Sequence, residues 1–241
     1  MTTILILGSG PDALRARDMP RGAFDVILAI NNAWRIREDW DELIHPWDFP
    51  EDRRPAALRP GQRIVDDRRF VPAQNALGGF VYAGGTMAFT AGYWALYEHR
   101  PRVIAYLGCD MVYAATGPTH FYGTGTPDPL REDITLASLE AKSARLMVMA
   151  ARADCAVVNL SEGTSRLVVP RANAADLRRA RPLPFDRCGA LKALGYERAL
   201  DYVVPSGRYW DEAHRFDRAK LARLDDLWLQ AARADSQAEA A

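Results

Sequence analysis

Four residues able to do chemistry follow one short apolar run. The run is VIAYL at residues 103–107. It stops at Gly108-Cys109-Asp110, and the next stretch carries Tyr113, His120 and Tyr122. Imidazole titrates near neutrality without tuning, which makes His120 the candidate general base. Phenolic hydroxyls donate hydrogen bonds to phosphate oxygens, a role open to Tyr113 and Tyr122. Asp110 is placed to ligate a metal or to orient a sugar hydroxyl. The bland alternatives are a turn-forming aspartate and two tyrosines that pack a loop. Chemistry is favoured if the run is a buried parallel strand, because open α/β sheets bind ligands in the crevice outside the carboxyl ends of their strands.

A second signal lies at the chain start. Residues 3–7, TILIL, read as a buried strand, and Gly8-Ser9-Gly10-Pro11-Asp12-Ala13 follows as G-x-G-x-x-A. Such a turn lets backbone approach a phosphate, and a helix start adds partial positive charge. The signal is weak by itself, since a tight strand–helix turn uses the same glycines. A second buried run at 25–30, DVILAI, ends at Asn31-Asn32. A nicotinamide fold places Asp or Glu there to hold the ribose, so the pair argues against NAD(P) and for a nucleotide of another kind. Gly84-Gly85-Thr86 precedes a helical pattern running to about His99. It reads either as amide and hydroxyl donors to an anion or as close backbone packing.

The elements that must position these residues alternate. Strand candidates fall at 3–7, 25–30, 43–45, 63–65, 80–83, 102–107 and 155–160, and the clearest helix at 135–153, with Leu136, Leu139, Leu146 and Met149 at helical spacing. Residues 47–61 and 117–129 are rich in turn formers and read as loops. Alternation implies parallel βαβ units: an α/β fold with a mostly parallel, Rossmann-like sheet flanked by helices. Past residue 166 the pattern becomes helical, at 172–181, 186–200 and 211–233, with a frayed tail at 235–241. The expected division is a nucleotide-binding domain over 1–165 and a helical extension over 166–241.

Composition excludes more than it assigns. The 241 residues carry 31 basic and 31 acidic side chains, so no global field points to nucleic acid or to an anionic membrane. Three of the basic residues are lysines (Lys142, Lys192, Lys220) and the rest are arginines. Arg178, Arg179, Arg181 and Arg187 have two readings. One is a solvated helix surface; the other is a basic face for membrane lipids, an acceptor glycan or a homo-oligomer. Cys109, Cys155 and Cys188 form no metal or disulfide spacing and are expected as reduced thiols. No G-x-S-x-G elbow, HExxH or Walker loop occurs. Ser161, Glu162 and Ser165 read as a turn or an outer wall of the site. His45 ends a strand and faces the crevice; His99 and His214 are expected on helix surfaces. The opening residues lack a basic leader, and no run is long enough for a membrane span, so a cytoplasmic protein is the expectation.

Gly8-Ser9-Gly10-Pro11, Asp25-Val26 leading to Asn31, and Gly108-Cys109-Asp110-Met111-Val112-Tyr113 resemble, in order and spacing, two related groups. One is the bacterial lipooligosaccharide sialyltransferases, single Rossmann-like domains that use a CMP-activated sugar. The other is the MptE-like group, which includes 6-hydroxymethylpterin diphosphokinases. The resemblance covers about residues 2–165. It implies nucleotide contacts at Gly8, Ser9, Gly10 and Pro11, with Ser9 where sialyltransferases usually carry Asn. It further implies such contacts at Asn31 and Asn32, at Gly85 and Thr86, and phosphate contacts from Tyr113 and Tyr122. His45-Pro46 aligns with the family's Asn-Pro pair. The family's catalytic histidine falls in a stretch matching residues 128–136, which holds none here, so either His120 takes that role beside Asp110 or the chemistry differs. The implied function is transfer of a sugar from a CMP-type donor to a glycan acceptor, with no cofactor required. The alternatives are a Mg²⁺-dependent pterin or nucleotide diphosphokinase, with Asp110 and either Asp128 or Asp133 at the metal, and a non-catalytic nucleotide-binding protein.

Overall fold

The structure is a computed structural model and describes residues 2–113, 116–125 and 131–233. Its centre is a six-stranded sheet in which every pair is parallel: β1 (Thr3–Leu7), β2 (Val26–Ile30), β3 (Glu42–Ile44), β4 (Arg63–Val65), β5 (Val103–Leu107) and β6 (Ala156–Asn159). The spatial order is β4-β3-β2-β1-β5-β6. The chain walks outward from β1 to β4, then crosses back to lay β5 on the other side of β1. The reversal makes the β1/β5 boundary the topological switch point of this Rossmann-like sheet.

Both faces of the central strands are buried, which is why they read as unbroken apolar runs. Ile4 and Ile6 face one core, and Leu5 and Leu7 the other. On the first face lie α1 (Asp67–Ala76), α3 (Met87–His99) and α4 (Leu139–Arg152). Helix α3 is apolar nearly all round because it is buried nearly all round, from Phe89 to Leu96. The Oγ1 of Thr86 caps it, accepting the Phe89 amide at 3.3 Å. Ser138 caps α4 in the same way at 3.2 Å. The second face is covered by 3-10 turns, chiefly Pro11–Asp18 and Ala174–Arg179.

Residues 80–83, expected as a strand, form instead a helical turn, α2 (Phe80–Ala83), between Gly79 and Gly84, both at positive φ. A short buried apolar run has no periodicity to tell the two apart. Helix α1 has no counterpart among the expected elements; its Asp-rich start and internal Pro72 hide the helical period. The helix expected over 135–153 divides into a 3-10 turn, Ile134–Leu136, and α4, because Ser138 restarts it.

The C-terminal part contributes α5 (Arg187–Leu200) and α6 (Arg218–Ala231), which pack on each other; α6 also packs on α4. Their apolar side chains share a third core with Val81, Tyr82 and Val148. Buried charges pin this layer. Arg145 donates to both oxygens of Glu197 at 2.7 and 2.9 Å and to the Tyr93 hydroxyl at 2.6 Å. Trp228 Nε1 donates to Glu197 at 2.8 Å, and Lys142 Nζ to Asp225 at 2.7 Å. Among the described residues no helix is long and apolar enough to cross a membrane. The tail expected to fray, from residue 235, lies outside the described residues.

Candidate functional site

At the switch point the carboxyl ends of β1 and β5 meet through glycines. The Gly8 amide donates to Leu107 O and the Gly10 amide to Gly108 O, both at 2.8 Å. A Cβ on Gly8 would stand 2.3 Å from the Gly108 carbonyl oxygen, and one on Gly108, at φ +70°, would stand 2.6 Å from Ala13 Cβ. The G-x-G turn therefore holds two strand ends at backbone contact. Two of its amides are taken by β5, and Pro11 has none. Ser9 and Asp12 supply the remaining amides of the turn.

Above this junction opens a cleft of about 530 Å³. It brings together Gly8, Ser9, Gly10, Pro11, Asn31, Thr86, Asp110, Tyr113, His120 and Tyr122 from five separate stretches of chain. The loop after β5 folds back over the first turn, with the Phe121 amide on Ser9 O at 2.9 Å, and this carries His120 into the cleft. Helix α3 points its start at the same space: Thr86, Met87 and Ala88 line it. The amides of Met87 and Ala88 are first-turn donors with no partner inside the helix, and the helix adds partial positive charge.

The His120 ring stacks on Tyr122 (5.0 Å between centroids, 19°) and lies tilted against Tyr113 at 6.0 Å. Its Nδ1 is 2.8 Å from Thr119 Oγ1. That hydroxyl also donates to the Gly125 carbonyl at 3.0 Å and accepts the Gly125 amide at 2.9 Å. With the hydroxyl proton directed to Gly125 O, Nδ1–H donates to Thr119 and the lone pair sits on Nε2. Burial lowers the pKa of His120 below the ordinary histidine value. The ring is thus neutral at neutral pH, with Nε2 able to take a proton.

Asp110 is oriented from β6. Its Oδ1 accepts from Asn159 Nδ2 at 2.8 Å and lies 3.7 Å from Arg171 Nη1. Asn159 is fully buried, and its own Oδ1 accepts the Ser161 amide at 2.9 Å. Ser161 Oγ accepts the Gly108 amide at 3.0 Å, tying the β6 turn to the β5 turn. Of these supports, Ser161 was read as a turn or an outer wall of the site, and Asn159 and Thr119 were not among the candidates. The signal for Asn159 was available: a polar residue closing an apolar strand, as Asn31 closes β2.

Two non-glycine residues on the cleft wall, Asn31 (φ 50°) and Met111 (φ 55°), adopt left-handed backbone. The other three in the described residues, Arg100, Asp154 and Asp201, follow helix ends, where that conformation is routine. Away from helix ends it costs on the order of 1–3 kcal/mol and concentrates at functional sites. The Oδ1 of Asn31 is buried without a hydrogen-bond partner, leaving an unmet acceptor at the wall.

Other candidates stand elsewhere. Asn32 is buried behind the wall, and His45 is buried at the end of β3 with Nε2 unpartnered; neither lines the cleft. Gly85 also lies off the cleft. Its amide donates to Thr135 Oγ1 at 2.9 Å, and a Cβ there would meet the Tyr209 hydroxyl at 2.3 Å, so this glycine serves close packing. His99, expected on a surface, is half-buried with Nε2 2.9 Å from Glu42 Oε1. Cys109 lines the cleft, but burial pushes its thiol far up, which keeps it protonated.

The charged side chains of the lining are Asp12 and Asp110, with no Arg or Lys among the described residues. Asp12 Oδ2 accepts the Glu162 amide at 2.7 Å. Asp133 lies off the cleft. Burial opposes its ionisation, but hydrogen bonds from Tyr209 and Thr135 and the charge of Arg131 hold its carboxyl below the usual range. Asp128 lies outside the described residues. Among the described residues no three His, Cys, Asp or Glu side chains gather as a metal site. No protein-family model, no curated protein and no solved structure matches this chain.

Proposed function

We propose that the chain is a nucleotide-sugar-dependent glycosyltransferase of the sialyltransferase kind, taking a CMP-type donor and a glycan acceptor. The observation that carries this reading is the place of His120, against Tyr113 and Tyr122, in a switch-point cleft that the start of α3 lines and whose described lining holds no Arg or Lys. A triphosphate brings about four negative charges and calls for lysine, arginine or metal around it. A single phosphodiester needs far less, and the start of α3 with Tyr113 and Tyr122 is donor enough. The order of the glycine turn, Asn31 and the Gly108–Tyr113 stretch supports the same reading.

In this scheme His120 Nε2 takes the proton of the acceptor hydroxyl as its oxygen bonds to the anomeric carbon. The bond from that carbon to the phosphate oxygen breaks, and its electron pair leaves with the nucleotide. Tyr113, Tyr122 and the α3 amides face the charge that grows on that phosphate, a preorganised electrostatic role. Asn31 Oδ1 accepts from the exocyclic amine of cytosine, and Asp110 accepts from a sugar hydroxyl.

The test is CMP release from CMP-activated sugars in the presence of oligosaccharide acceptors, with wild type and His120→Ala side by side. Release that depends on acceptor and falls about 10²–10⁴-fold in the variant is expected. Equal turnover in the variant would remove His120 from the mechanism. No release with any donor would favour a nucleotide-binding protein without catalysis.

A further inference from the structure

At the opposite, amino-terminal ends of β1 and β5 a second groove of about 370 Å³ opens. Its polar lining includes Arg102, Arg178, Arg181, Asp25 and Thr3, with Gly22 on the rim. We propose that this groove is a separate ligand site for a phosphate group, read by Arg102, Arg178 and Arg181.

The charge balance carries the argument. Asp25 is the one carboxylate of the lining, and its Oδ2 already accepts the Thr3 amide at 2.7 Å. Arg102 is paired with Asp154. Arg178 and Arg181 have no carboxylate partner among the described residues, whereas Arg179 between them lies beside Asp176. With Arg102 paired to Asp154, Arg178 and Arg181 outweigh the single charge of Asp25, and the concave surface is left net positive, which suits an anion. The planar fork of arginine meets phosphate oxygens two at a time.

The arginines are also held in place. Leu177 is fully buried in the core that includes Val103 and Ala105, and it anchors the segment that bears them. The Ala180 amide donates back to Leu177 O at 3.1 Å. Arg181 Nη1 donates to Ala180 O at 3.1 Å, which braces its side chain along the segment. The four arginines marked in the sequence thus separate: Arg178 and Arg181 share the groove, Arg179 lies 3.8 Å from Asp176 in solvent, and Arg187 starts α5. A phosphate here has two sources, a soluble phosphorylated molecule or an anionic lipid headgroup.

Calorimetric titration of inorganic pyrophosphate into the full chain tests the site. The comparison is with Arg178→Ala/Arg181→Ala, whose side chains are exposed and whose loss leaves the core intact; Arg181→Glu is a second variant. Flotation with phosphatidylcholine vesicles, with and without phosphatidic acid, separates the sources. Pyrophosphate binding weakened about tenfold or more in the double variant supports a soluble ligand. Flotation on phosphatidic acid alone, lost in both variants, supports a headgroup. Binding of neither probe, or binding unchanged in the variants, overturns the proposal.

Discussion

At the carboxyl ends of β1 and β5 the charged lining is Asp12 and Asp110; at the amino ends of the same two strands it is Arg102, Arg178 and Arg181 with Asp25. One end offers backbone amides as donors and holds an imidazole whose pKa burial lowers. The other supplies whole charges and no imidazole. Fixed amides suit a ligand of modest charge whose charge changes during reaction, whereas guanidinium groups suit a ligand that is only held. A parallel sheet with a single reversal creates both openings between one pair of strands, so the two chemistries are kept apart by the full height of the sheet.

The sharpest way to break this contrast is at His120. His120→Ala is expected to lower sugar transfer about 10²–10⁴-fold while leaving pyrophosphate binding unaltered; paired kinetics and calorimetry check both halves. A change touching neither end gives the control. Glu197→Ala strands the buried Arg145, whose side chain is 1% exposed, and is expected to cost about 3–5 kcal/mol of stability. Urea unfolding reads that loss, and both ligand affinities should persist below the unfolding transition. Gly108→Ala acts on the carboxyl end alone. Its Cβ meets Ala13 and its φ is left-handed, so a loss of about 1–3 kcal/mol and weakened nucleotide binding are expected, with the arginine groove intact.

The smallest effect is a pH dependence. Burial places the folded-state pKa of His120 below 6.5, the unfolded value. The neutral ring's contribution to stability is present above 6.5 and is lost as pH falls through the lower folded-state value. Transfer follows the same limb, because only the neutral ring accepts a proton. An NMR titration of the His120 ring should give a midpoint below 6.5, and the acid limb of the rate should share it. A midpoint above 6.5 would mean that the ring is charged where it should act as base.

Much of the carboxyl end was legible because it is built from local signals. Glycines at 8, 10 and 108 mark strand ends that touch, and Asn31 and Asp110 mark where apolar runs stop. What stayed hidden depends on contacts far apart in the chain. Gly85 read as an anion donor or as close packing, and only Tyr209 and Thr135, far along the chain, decide for packing. Residues 80–83 looked like a strand because four buried apolar residues have no period. Asn159 closes an apolar strand as Asn31 does, but its hydrogen bond to Asp110 spans 49 positions of chain. The arginine groove draws on residues 3, 25, 102 and 178–181, which no linear motif joins; in sequence Arg178 and Arg181 were grouped with Arg179 and Arg187, as a solvated helix surface or a basic face.

The central claim is that the carboxyl-end cleft binds a nucleotide of low charge. Calorimetric titration of CMP, and separately of ATP with Mg²⁺, into wild type and Asn31→Ala addresses it most directly. The account predicts one CMP per chain without added metal, weakened in Asn31→Ala, and ATP binding that is much poorer. Tight binding of ATP with Mg²⁺ and none of CMP would contradict it and turn the cleft toward pyrophosphoryl transfer.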